Sequence, residues 1–204
     1  MTDFFRDNSG HGLPAVVSGT SGDFLDGRSL PSPVEERLVA FVAGPPGVGK
    51  STVARSLAGP DASELCAEAV LNHLHSSIPW PQAITVAGDL VLELPSKNDH
   101  HDLDTDRIKE LIRLRVGSGL PTRVVASAVG TTLPELMFAV DPAHRVTIAL
   151  RFPVGEERRR YAEQICSELG ISVQHAEPST VEEPWSYEKV RTHLEACVGQ
   201  TKAQ

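Results

Sequence analysis

The chain has 204 residues, enough for one domain with a sizeable core, and its 40% hydrophobic and 23% charged content is that of an ordinary globular protein. A formal net charge of −8 argues against a broad nucleic-acid or anionic-membrane surface, so nucleic acid is not expected as a partner. No apolar run approaches the roughly 20 residues that span a bilayer. Met1-Thr2-Asp3-Phe4-Phe5-Arg6-Asp7 has no basic start leading into an apolar stretch. Cys66, Cys166 and Cys197 are odd in number and far apart, which predicts reduced, buried thiols rather than a disulfide or zinc framework. Together these features predict a cytoplasmic protein with no membrane contact.

Residues 1–37 are rich in Gly, Ser, Pro and Asp, and Val16-Val17 and Phe24-Leu25 are their only later apolar pairs. They predict a flexible N-terminal arm, with 38–200 as the folded domain. Leu38-Val39-Ala40-Phe41-Val42-Ala43 reads as a short buried strand. After a glycine-rich turn, Ser51 to Ala58 reads as a helix that Gly59-Pro60 stops. Asp61-Ala62-Ser63-Glu64 has the form of a capping box, opening a helix whose stripe of Leu65, Ala69 and Leu74 runs to about Ser76. Ala83–Ala87 and Leu90–Leu94 are two short apolar runs, and the second is preferred as a central strand.

Further along, Ile108, Leu111, Ile112 and Val116 mark a helix from Asp104, closed by Gly117-Ser118-Gly119. Arg123–Val129 reads as a strand, Leu133–Val140 as a short helix and Arg145–Phe152 as another strand. Tyr161, Ala162, Ile165, Cys166 and Leu169 share one helix face, with Gly170 as the stop. Ile171–Gln174 is expected as a last short strand, and Trp185 to about Val198 as a closing helix. Strands alternating with helices predict an α/β fold: a mostly parallel central sheet covered by helices on both faces. Ligands on such sheets sit beyond the carboxyl ends of the strands.

Between the first strand and its helix stands Gly44-Pro45-Pro46-Gly47-Val48-Gly49-Lys50-Ser51, which reads G-x-x-x-x-G-K-S without a mismatch. Glycines allow backbone angles closed to other residues, so successive N–H groups can face one anion, and the helix dipole points at the same place. Residues Gly44 to Thr52 are therefore the predicted phosphate site. Lys50 is expected at the β- and γ-phosphates, and Ser51 on Mg²⁺. On these residues the chain resembles the P-loop NTPase superfamily, which includes small-molecule kinases and many ATPases. The resemblance covers about residues 38–58 and implies a three-layer P-loop fold with ATP and Mg²⁺ as cofactors.

A second magnesium donor is usually an acid at the end of a neighbouring strand. Glu93 and Asp89 compete for that role. The stretch around Glu93 looks like the strand of dethiobiotin-synthetase-like P-loop enzymes, and Glu93 is preferred with Asp89 as alternate. Arg158-Arg159-Arg160 opens a helix, where arginine opposes the dipole. It loosely resembles the arginine lid of small P-loop kinases, giving Arg158 and Arg159 a catalytic reading against a plain solvated face that pairs with Glu156, Glu157 and Glu163. Arg151 and Arg123 are weaker candidates. Asp99-His100-His101-Asp102 is read as a loop rather than a metal site. The absence of an Asn-Lys-x-Asp element favours ATP over GTP. The leading expectation is a kinase moving the γ-phosphate of ATP to a small molecule or nucleotide. The alternative is a regulatory or accessory ATPase acting through a protein partner. A third reading is a nucleotide-binding protein without catalysis.

Overall fold

Val39–Gly44 (β2) is buried at every position, because a strand with neighbours on both edges and helices on both faces has no solvated side. In the computed structural model it lies inside a six-stranded sheet of order β1-β6-β2-β5-β4-β3, with every pairing parallel. The other strands are β1 (Ala15–Gly19), β3 (Ser63–Leu65), β4 (Leu90–Glu93), β5 (Thr122–Ser127) and β6 (Arg145–Leu150). The structure describes residues 15–25, 37–76, 79–86, 88–95, 104–127, 132–170 and 185–201.

The described helices are α1 (Ser21–Leu25), α2 (Lys50–Ala58), α3 (Ala67–His75), α4 (Gln82–Val86), α5 (Thr105–Gly117), α6 (Thr132–Phe138), α7 (Gly155–Leu169) and α8 (Tyr187–Thr201). Period-two alternation sorts each strand onto two cores. Ala40, Val42, Val91, Val125, Val146 and Ile148 meet Val53, Ala54 and Ala58 of α2 and Phe24 of α1. On the opposite face, Val39, Phe41, Leu90, Leu92 and Val124 meet α3, α5 and α6 through Val70, Ile108, Leu111, Ile112 and Leu136. The expected sheet with helices on both faces is therefore present. Helices α7 and α8 pack on each other through Ala162, Ile165, Cys166, Val190 and Leu194, as a smaller cluster of their own.

Three local expectations are corrected. Residues 15–25, expected within a flexible arm, instead supply the edge strand and α1. Val17 is buried against the core while Val16 is exposed, and Ala15 to Gly19 pair in register with Val146 to Leu150. A two-residue apolar pair is too short to announce a strand, which here gains its ladder from β6, far along the chain. Ser63–Leu65, expected as the end of the Asp61–Glu64 capping box and the start of its helix, is strand β3, and Cys66 after it is exposed rather than buried. Ser63 N–H donates to Asp89 O at 2.9 Å, so the backbone donors go to the sheet, and the helix begins after Cys66. Ala83–Val86 is helical rather than extended, turned by the bonds of Ile84 and Thr85 N–H to Pro81 O. Short apolar runs do not reveal their period.

Other boundaries follow the sequence signals. Asp104 caps α5 by accepting from Asp106 and Arg107 N–H, and Gly170 ends α7 in the left-handed region at φ 67°. The expected strand Ile171–Gln174 and the Asp99–Asp102 segment lie outside the described residues.

Candidate nucleotide site

The carboxyl end of β2 runs directly into the glycine loop, and the loop into α2. Gly47 and Gly49 hold φ of 73° and 87°, a region closed to most side chains, and this is what turns the loop back on itself. Gly49 is the N-cap of α2, and no side chain caps that end. The first-turn N–H groups are therefore available to an anion. Space is tight around the loop. A methyl on Gly44 would stand 2.6 Å from Leu150 O, one on Gly47 2.7 Å from Ser186 Oγ, and one on Gly49 2.9 Å from Ser21 Oγ.

Lys50 leads into α2 and folds back over the loop, its Nζ donating to Pro45 O at 2.8 Å. Burial pulls its ammonium below the ordinary lysine value, while the charge of Glu93 pulls it partly back up. The charge of Glu93 is thus felt at Lys50. Glu93 is the last residue of β4 and shares the strand face of Val91, toward α2. Arg55, one turn along α2 from Lys50, pairs with Glu64 at 2.9 Å and reaches Glu93 at 3.4 Å. Ser51 is half-buried and Thr52 exposed in the first turn of the same helix.

Asp89, the alternate magnesium donor, is at the wrong end. It precedes β4, so the four residues of the strand, about 13 Å of extended chain, separate it from the rim where Glu93 lies. Its carboxylate faces Arg123 at 3.7 Å instead. Arg123 itself is the second residue of β5 and shares that amino-end rim, so it too is away from the loop. In a parallel sheet a strand has one end on each rim, and a residue before the strand cannot share the rim of one after it.

Arg158 and Arg159 lie in the first turns of α7. Arg159 is 68% exposed at its side chain and pairs with Glu163 at 3.0 Å and Glu156 at 4.0 Å. Arg151, just past β6, forms a bidentate pair with Glu157 at 2.8 and 2.9 Å, and Asp23 and Tyr187 lie close enough to raise its basicity further.

Four neighbours of the loop carry no signature in the sequence: Arg55, Ser21, Ser186 and Glu188. The start of α8 lies directly over Gly47, with Glu188 Oε2 3.0 Å from where its methyl would be. On the flank, Thr20 N–H and Oγ1 donate to Asp23 at 2.8 and 3.0 Å, fixing the turn that brings Ser21 against Gly49. Arg55 follows the loop on α2, but only the ends of the chain folding back put Ser21, Ser186 and Glu188 against it.

The lowered Lys50 basicity has a measurable consequence. A bound triphosphate favours the ammonium form, so binding raises the Lys50 value. At alkaline pH, where free Lys50 has begun to lose its proton ahead of an ordinary lysine, binding must then take protons up. Calorimetry of Mg-ATP in buffers of different ionisation enthalpy should show net uptake that grows as pH rises toward the ordinary lysine value. A Lys50→Met chain should lack it, and equal uptake in both would refute the assignment.

No protein-family model matches this chain. No curated protein matches it in sequence. In structure it is similar to domain III of the replication initiation protein DnaA from Thermotoga maritima, at 11% identity and a TM-score of 0.57, covering 83% of this chain and 80% of that one. It is also similar to a DNA replication initiation factor, at 9% identity and TM-score 0.56, covering 78% of this chain and 54% of that one. A replication initiator DnaA bound to AMPPCP and single-stranded DNA matches at 10% identity and TM-score 0.55, covering 90% of this chain and 64% of that one. This chain thus spans less than two thirds of the latter two.

The resemblance to small-molecule kinases finds no support in these structures. The charge-based expectation against nucleic acid is overturned, because proteins of this fold include an initiator solved with single-stranded DNA. A net charge averages the whole surface and does not exclude a local binding site. At these identities the likeness speaks for the fold alone, an α/β P-loop-type fold with its glycine loop at the carboxyl end of the central strand.

Proposed function

We propose that this chain binds Mg-ATP in the Gly44–Ser51 loop and acts as a nucleotide-dependent regulatory or accessory ATPase, its product being a conformation read by a partner. The observation that carries it is the loop itself: two left-handed glycines, an uncapped helix end and Lys50 folded over them. These fit a triphosphate, since each supplies a donor or a positive charge to one small volume. Ser51 and Glu93 are the residues that would hold Mg²⁺, whose role when bound is to neutralise charge on the phosphate oxygens.

The regulatory reading is preferred over the kinase reading for a structural reason as well as for the likeness to replication initiation proteins. Glu93 is engaged by Arg55 at 3.4 Å, which draws it from any water it would orient and favours slow turnover. The first turn of α8 lies on Gly47, so a nucleotide in the loop bears directly on α7 and α8. That contact converts occupancy into a change in the smaller cluster. The similar initiator is solved with single-stranded DNA, so a single-stranded oligonucleotide belongs beside protein partners in the search for what reads this state.

Calorimetry with Mg-ATP and Mg-GTP, on the wild type and Lys50→Ala, tests the reading. Removing one charge-assisted bond costs about 1.5–3 kcal/mol, so Lys50→Ala should weaken ATP binding about ten- to hundredfold. A folded wild type that binds neither nucleotide ends the proposal. Acceptor-dependent ADP formation across a panel of small molecules would restore the kinase reading.

A further inference from the structure

An acid stands on the loop that is to receive a triphosphate. A methyl on Gly47 would lie 2.9 Å from Ser186 Cβ and 3.0 Å from Glu188 Oε2. Adding one carbon–carbon bond, that carboxylate oxygen is at most about 4.5 Å from Gly47 Cα. Gly47 belongs to the stretch whose backbone N–H groups are meant for the phosphates. Glu188 thus brings a negative charge to the surface that the glycine loop and the uncapped start of α2 make positive.

Its position is set by packing. Glu188 lies in the first turn of α8, and Ser186 closes that turn: its Oγ accepts from Lys189 N–H at 3.0 Å and its O from Val190 N–H at 3.0 Å. Behind it, α8 is held on α7 by Val190 and Leu194, by Tyr187 edge-on to Tyr161 at 4.6 Å, and by Arg191 paired with Glu168 at 2.9 Å. Tyr187 Oη stands 3.6 Å from where a methyl on Gly22 would be, so the same turn also touches the α1 flank of the loop. An acid in a first turn suits the dipole of its own helix, but that accounts for nothing about where the turn is placed. Among the described residues Glu188 has no ion pair, and the adjacent Lys189 sets its Nζ over the Trp185 ring at 5.1 Å. No cation therefore cancels the carboxylate at the loop.

We infer that Glu188 sets the affinity of the glycine loop, its carboxylate opposing the phosphates of an incoming nucleotide until the first turn of α8 moves off Gly47. The inference rests on the nucleotide reading of the loop and adds a regulator to it. Like charges about 5 Å apart repel strongly at the effective dielectric of a protein surface, and even with solvent screening this weakens binding about tenfold. The loop is then a site whose strength depends on where α8 lies, and whatever draws α8 away from Gly47 strengthens it.

The test titrates Mg-ATP by calorimetry into the full chain and its Glu188→Gln and Glu195→Gln variants, at low salt and at about 0.5 M salt. Glu188→Gln should bind about tenfold more tightly than the wild type at low salt, and the gap should narrow at high salt, as a screened repulsion does. Glu195→Gln removes the same charge two turns further along α8, about 10 Å away, and should stay within about twofold of the wild type. A gain there equal to that of Glu188→Gln would overturn the inference, as would a Glu188→Gln gain that high salt leaves untouched. Equal or weaker binding by Glu188→Gln would overturn it too, with the nucleotide reading left standing. Binding by none of the three chains would end the nucleotide reading itself, and this inference with it.

Discussion

Replacing Arg115 by methionine should cost about 3–5 kcal/mol of stability, the largest loss expected from any single change away from the glycine loop. Arg115 lies in the last turn of α5 and is 0% exposed. Its guanidinium is spent on neutral acceptors: Nε donates to Thr122 Oγ1 at 2.8 Å, Nη1 to Ile84 O at 2.7 Å, and Nη2 to Gly88 O and Pro121 O, both at 2.6 Å. Burial pulls the group below the ordinary arginine value, and Asp89 pulls it partly back, yet an arginine remains charged at any working pH.

The consequence is a knot at the amino-end rim that ties α4, the approach to β4 and the approach to β5 to a single side chain. Methionine fills most of the volume but takes the donor from Ile84 O and Gly88 O, while Pro121 O keeps only Leu90 N–H at 3.2 Å. Each charge-assisted bond is worth about 1.5–3 kcal/mol, partly recovered by entering water. Urea unfolding should show a lower midpoint at an unchanged slope. Arg115→Lys, with one ammonium in place of a fork, should lose about half as much. A loss below about 1 kcal/mol for the methionine chain would mean that the knot is not what holds this rim.

Gly44→Ala should damage stability and nucleotide binding together. The added methyl would stand 2.6 Å from Leu150 O, 3.0 Å from Val48 Cγ2 and 3.1 Å from Leu150 Cβ. The first of these is backbone of the adjacent strand, so no side-chain rotation relieves it. β2 must move away from β6 at the point where the glycine loop begins, and overpacking of this kind costs about 1–3 kcal/mol. Displacing the loop also misaligns the amides meant for one phosphate. Loss of a single charge-assisted bond there weakens ATP about tenfold or more. Urea unfolding and calorimetry on the same preparation would show both effects. A chain of wild-type stability and affinity would mean that the strands part without cost. Gly59→Ala serves as a comparison: nothing lies within 4 Å of its added methyl, so only the strain of its φ of 83° should appear.

The glycine loop was legible in the sequence because its geometry is local. Eight consecutive residues hold the turn, the lysine and the hydroxyl, and the strand and helix that aim them are their immediate neighbours. Glu93 stood out for a related reason, as an acid closing an apolar run, and was preferred to Asp89, whose rim was settled only by where the strand begins. Which rim an acid occupies depends on where its strand begins, and the apolar run around Leu90 does not mark that point by itself.

The parts that stayed hidden are those held by distant chain. β1 exists because β6, about 130 residues later, offers it a ladder, and no pattern in Val16-Val17 announces that. The start of α8 covers Gly47 only because α7 and α8 fold back as a pair over the carboxyl-end rim. The arginines at positions 37, 115, 123 and 145 look like ordinary strand and helix charges in sequence, and only their burial separates the satisfied one from those left with open donors. The sequence by itself determined the parallel α/β class, through alternating apolar periods, and the glycine loop between its strand and helix, through short-range backbone chemistry. The tertiary structure alone decided which charges face the loop and which face the opposite rim. That division follows from long-range strand pairing, which no window of neighbouring residues contains.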